Sequence, residues 1–127
     1  DKDTWITLPA DGREGPPPPW PLTDQSDREC ELWEAEWARP QAVEWERNGQ
    51  EIEVGMYVRT LVGAESRTAP TNLRQLLKQQ QEALGLSLPG LLRNRWKIAE
   101  TADEATASTP KVRSAKGRFR VVDGGKP

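Results

Sequence analysis

Proline placement confines this chain to short pieces of regular structure. Six prolines, Pro9, Pro16, Pro17, Pro18, Pro19 and Pro21, fall within the first 25 residues. Such a density removes backbone donors and favours extended polyproline geometry over helix or sheet. Residues 1–25 are therefore expected to form an arm. Trp5 and Trp20 lie in it, and Trp20, beside the proline run, either anchors on another surface or covers its own domain. Further along, Pro40, Pro70 and Pro89 interrupt what remains. Each disfavours helical geometry in the residue before it and suits the first turn of the helix after it.

Between those prolines the spacing predicts about five short helices over residues 26–100, a mainly α domain. Ser26 with Glu29 has the capping-box arrangement, and Cys30, Trp33 and Trp37 fall on one face of the helix it opens. A short helix is expected over Gln41 to Arg47, stopped by Asn48-Gly49. From Glu51 to Glu65, Val54, Tyr57, Val58, Leu61 and Val62 make a core-facing stripe. Residues 71–84 carry Leu73, Leu76, Leu77 and Leu84 on one face, but Gln80 shares that stripe. That helix is expected to be partly buried, or buried against another chain through amide hydrogen bonds. Gly85 ends it, and a fifth helix to Ala99 is expected to bury Leu88, Leu91, Leu92, Trp96 and Ala99. Residues 101–127 read as a flexible basic tail with a β-prone island at Phe119, Val121 and Val122.

Residue types exclude several chemistries. With no histidine and the single Cys30, the usual zinc sites, Cys/His dyads and disulfide frameworks within one chain fall away. Gly12 and Gly15 precede a proline run, not a helix that follows a strand, so no phosphate-binding or dinucleotide fingerprint exists. The glutamates are spaced as a solvated helical face, not as a catalytic pair. No catalytic, metal or cofactor site is expected. No apolar run approaches the roughly 18 residues of a membrane span, and a soluble protein in a reducing, cytosolic setting is expected.

Charge is divided along the chain. Residues 26–66 carry four positive and ten negative side chains, net −6, whereas residues 67–99 carry six positive and one negative, net +5. An acidic half followed by a basic half suits copies meeting head to tail, or a polyanion on one side. Arg67, Arg74, Lys78, Arg93, Arg95 and Lys97 are the candidate DNA contacts. Helical spacing pairs Arg74 with Lys78 and Arg93 with Lys97, and the two helices around Gly85-Leu86-Ser87 have the length of a helix-turn-helix. The tryptophans suit the core of a small domain; the sharper reading makes Trp33, Trp37, Trp45 and Tyr57 anchors for a neighbouring subunit. In the tail, Lys111, Arg113, Lys116, Arg118, Phe119, Arg120, Val121 and Val122 are candidates for docking to a partner.

The opening from Pro9 to Arg13 through Pro19-Trp20-Pro21-Leu22, the stretch Glu31-Leu32-Trp33-Glu34 to Trp37, Pro40-Gln41-Ala42 to Trp45-Glu46-Arg47, Tyr57-Val58-Arg59, and the later Leu84-Gly85-Leu86-Ser87-Leu88-Pro89-Gly90 to Trp96 share a pattern. Together they resemble small terminase subunits of tailed phages that infect actinobacteria. The resemblance spans about residues 8–100. It implies a ring-forming, non-catalytic component of the DNA-packaging motor in the host cytoplasm. Such a component engages double-stranded viral DNA and recruits and regulates the large subunit, which holds the ATPase and nuclease. The family commonly binds DNA through an N-terminal helix-turn-helix, whereas the N-terminal helices here are acidic. Two other functions fit the same residues: a structural head-completion or adaptor protein of a virion, and a small helical transcription regulator.

Overall fold

A computed structural model describes residues 4–100. Their elements run β1 (Ile6–Leu8), α1 (Asp27–Glu36), α2 (Ala42–Arg47), α3 (Glu51–Ala64), α4 (Thr71–Ala83), α5 (Leu88–Asn94) and β2 (Trp96–Ile98). The helical character read from the sequence holds. The readings on residues 101–127, the flexible tail and its Phe119, Val121 and Val122 island, lie outside the described residues.

Local signals account for most boundaries. The Ser26 hydroxyl accepts from the Glu29 N–H while the Glu29 carboxylate accepts from the Ser26 N–H, a closed capping box at the start of α1. Ser87 caps α5 by accepting from the Gly90 N–H, and Pro89 occupies the first turn. Pro70 stands at the N-terminal boundary of α4 with extended geometry. Gly85, at φ +75°, ends the turn after α4, and a Cβ there would lie 2.4 Å from the Trp96 ring. Glycine is needed at this position for its backbone and for its lack of bulk.

The core is built from tryptophan. Trp20, Trp33, Trp37 and Trp45 form an edge-to-face row with ring centroids 5.1, 5.4 and 5.5 Å apart. Each such contact contributes roughly 0.5–1.5 kcal/mol beyond area burial. Guanidinium groups close both flanks, Arg59 at 5.5 Å from the Trp20 ring and Arg13 at 5.4 Å from that of Trp37. Val54, Tyr57 and Val58 of α3 complete the interior with Leu8, Leu84 and Trp96. The Trp45 Nε1–H donates to the Leu84 carbonyl at 2.9 Å, and the Gln41 amide donates to the Gly85 carbonyl at 3.0 Å. Those two bonds tie α2 to the end of α4.

Four expectations are corrected. Trp33, Trp37, Trp45 and Tyr57 are buried within one copy of the chain, so they are core residues and present no surface to a neighbouring subunit. Cys30 is exposed, and Glu29 takes the inward place on α1 because Arg59 pairs with it. The fifth helix stops at Asn94, since Arg95 adopts left-handed geometry at φ 61°, and Trp96 to Ile98 continue as a strand. Leu88 and Leu92 point outward, because Gly90 packs against the α4 backbone and turns Leu91 inward instead.

Residues 4–25 do not stand apart from the helices. β1 pairs in parallel with β2, with Ile6 opposite Trp96 and Leu8 opposite Ile98, and Leu8 is fully buried. The Trp33 Nε1–H donates to the Pro18 carbonyl, and Pro21 and Leu22 cover Gly55 of α3. At Gly12, φ +88°, a Cβ would fall 1.9 Å from the Ala38 carbonyl oxygen, so only glycine permits this approach to the end of α1.

Candidate nucleic-acid interface

Ion pairing divides the molecule as its sequence charge does. In the acidic half every described arginine has a carboxylate partner: Arg13 with Glu46, Arg28 with Glu31 and Glu65, Arg39 with Glu36, Arg47 with Glu44, and Arg59 with Glu29. Arg28 and Arg59 hold Glu65 and Glu29 respectively below the usual carboxylate range through direct hydrogen bonds. In the basic half Arg93 pairs with Glu82 at 3.6 Å. The described arginines of the first half are thus taken up in internal pairs, whereas the cations over residues 67–99 are exposed.

The fold gathers four of the six expected contacts into a ridge. Arg74, Lys78 and Glu82 follow one another at i, i+4 and i+8 along α4, roughly 6 Å apart by helical rise. At the first end the Arg74 Nη2 group donates to the Ser66 carbonyl at 2.9 Å, which brings the backbone preceding Arg67 against the start of α4. At the other end Glu82 holds Arg93, and the Asn94 amide donates to the Ala83 carbonyl at 3.3 Å. The order along the ridge is Arg67, Arg74, Lys78, Glu82, Arg93. Arg67, Arg74, Lys78 and Arg93 are all exposed.

Arg95 and Lys97 are placed elsewhere. The expected helical pairing of Arg93 with Lys97 does not form, because α5 has ended before Lys97. Strand alternation sets Lys97 opposite Trp96, so it lies beside Thr7 on the outer face of the small sheet. Arg95 is the left-handed cap between α5 and β2. Glu82 was the missed member of the ridge, and the signal for it was present: its i+4 spacing from Lys78.

This arrangement can bind an extended anion. Arginine and lysine offer only donors, which match phosphate oxygens. The N-terminal turn of α5, the part of a recognition helix that reads base edges, carries Leu88, Pro89 and Gly90. Those residues offer bases no side-chain hydrogen bond. Among the described residues no group of three or more acidic or cysteine side chains is placed to hold a metal, and no helix is long and apolar enough to cross a membrane.

Comparison with protein-family models, with curated proteins and with solved structures returned no match to this chain.

Proposed function

We propose that this chain is a phage small terminase subunit, a non-catalytic packaging adaptor that binds double-stranded viral DNA, assembles as a ring and recruits the large ATPase-nuclease subunit in the host cytoplasm. The observation that carries the DNA half of this reading is the ridge of Arg67, Arg74, Lys78 and Arg93, whose charge is offset among the described residues only at Glu82. Side chains of this type contact the phosphate backbone and fix register without reading sequence. The resemblance across residues 8–100 supplies the packaging context, and the division into acidic and basic halves suits head-to-tail assembly. Recruitment of the large subunit is assigned to Lys111, Arg113, Lys116, Arg118, Phe119, Arg120, Val121 and Val122, outside the described residues.

Solution mass with and without duplex DNA, followed by the ATPase rate of a large terminase subunit with the chain added, tests this reading. A closed oligomer that binds DNA and raises the ATPase rate is expected. A closed oligomer that ignores both DNA and the large subunit would make the chain a structural virion component instead. A dimer that binds one DNA sequence would make it a transcription regulator.

A further inference from the structure

The ion pairs of the two halves are built differently. In the acidic half their contacts run from 2.7 to 3.4 Å, and each pair is also hydrogen-bonded. Arg59 donates to both oxygens of the buried Glu29, which locks that pair into the wall of the core. Arg93 and Glu82 stand 3.6 Å apart, beyond hydrogen-bonding length. Their contact is electrostatic alone, and exposed pairs of that kind contribute little to stability. The carboxylate therefore holds Arg93 without occupying its donors.

The two partners also differ in how firmly they are placed. The Glu82 backbone is fixed, because its carbonyl accepts from the Gly85 N–H at 3.2 Å and lies 2.3 Å from where a Cβ on Gly90 would stand, so α5 presses directly on it. Its side chain is 24% exposed, whereas that of Arg93, in the last turn of α5, is 64% exposed. Helical spacing sets Glu82 one turn beyond Lys78. A fixed negative charge thus stands in line with Arg74 and Lys78, where a phosphate backbone following those two cations continues toward Arg93.

We infer that Glu82 is an exchangeable counter-charge that limits how tightly the ridge grips duplex DNA. In the free chain it keeps Arg93 beside the end of α4. When a phosphate arrives, the Arg93 guanidinium exchanges the carboxylate for a charge-assisted hydrogen bond to a phosphate oxygen, the stronger of the two contacts. Glu82 is then left beside a charge of its own sign, and the repulsion offsets part of what Arg93 gains. At the other end of the ridge Arg74 is held by the neutral Ser66 carbonyl, which opposes no phosphate. The ridge therefore grips firmly at the start of α4 and loosely at α5. This inference rests on the DNA-binding half of the proposed function and assigns the residue that tunes that same site.

Fluorescence anisotropy with a DNA duplex over a salt series tests it on the full chain, using Glu82→Gln, Arg93→Gln and the two together. Glu82→Gln keeps the shape of the side chain and removes its charge, and Glu82→Ala, a good helix former, gives the same reading should the first variant not fold. Either should bind roughly three- to tenfold more tightly than the parent at low salt. The slope of log affinity against log salt should steepen by up to about one, since the freed carboxylate no longer takes up a cation on binding. In an Arg93→Gln background the gain from Glu82→Gln should be about two- to fivefold smaller, because no pair remains to be broken. Equal gains in both backgrounds would show that Arg93 does not exchange partners and would overturn the inference. Weaker binding by Glu82→Gln would make Glu82 a support for Arg93, and unchanged binding would place this end of the ridge off the DNA; either overturns the inference and leaves the Arg74 and Lys78 contacts standing. A parent that binds no duplex at all would overturn the DNA reading itself, and this inference with it.

Discussion

The indole Nε1–H of Trp33 donates to the carbonyl of Pro18 at 2.7 Å, across fifteen residues of chain. A proline run has carbonyls but no donors of its own, so it is fastened by groups that come to it. Trp33 supplies the donor at one end, and Arg13 donates to the Pro16 carbonyl at 3.0 Å nearer the other. This explains how a segment with no helix becomes one wall of a helical core.

Trp33→Phe should therefore loosen the arm as well as the core. The substitution removes the bond to Pro18 and shrinks the ring that meets both Trp20 and Trp37 edge to face. A loss of roughly 1–3 kcal/mol is expected, read in urea unfolding as a lower midpoint with an unchanged slope. An unchanged midpoint would mean that the arm contributes nothing to stability.

The Glu29 and Arg59 pair should make stability depend on pH in the acid range. Arg59 donates to both Glu29 carboxylate oxygens, at 2.7 and 3.2 Å, and this holds the Glu29 carboxyl below its ordinary value of 4.5. A carboxyl lowered in the folded state contributes stability that is fully present above its unfolded pKa and is lost as pH falls through the folded one. Glu29→Gln should cost roughly 1–2 kcal/mol at pH 7. The gap from the parent should close as pH falls below about 4.5, and a gap that persisted in acid would assign the effect to packing instead.

Much of the fold was legible because its signals are local. The capping box of Ser26 and Glu29, the prolines before α4 and within α5, and the Val54, Tyr57 and Val58 stripe all act within one or two turns. What was not legible depends on partners distant in sequence. Glu29 turns inward because Arg59, thirty residues away, meets it. Trp96 becomes a strand residue because Ile6 pairs with it across most of the chain. Of the site, α4 spacing alone placed Arg74 beside Lys78, whereas joining Arg93 to them required the packing of α5 on the end of α4. The outward Leu88 and Leu92 were hidden for the same reason, since Gly90 can meet α4 only when the two helices are set against each other.

The salt dependence of duplex DNA binding, for the parent and for Arg74→Glu with Lys78→Glu, tests the central claim most directly. Each phosphate neutralised contributes about −0.9 to the slope of log affinity against log salt. Four ridge cations should therefore give each chain a slope of roughly −3 to −4. Fluorescence anisotropy over a salt series reads this. The double variant should bind at least about tenfold more weakly at low salt, with a slope shallower by about two. A variant that keeps the parent's affinity and slope would contradict the claim that this ridge is where the chain engages DNA.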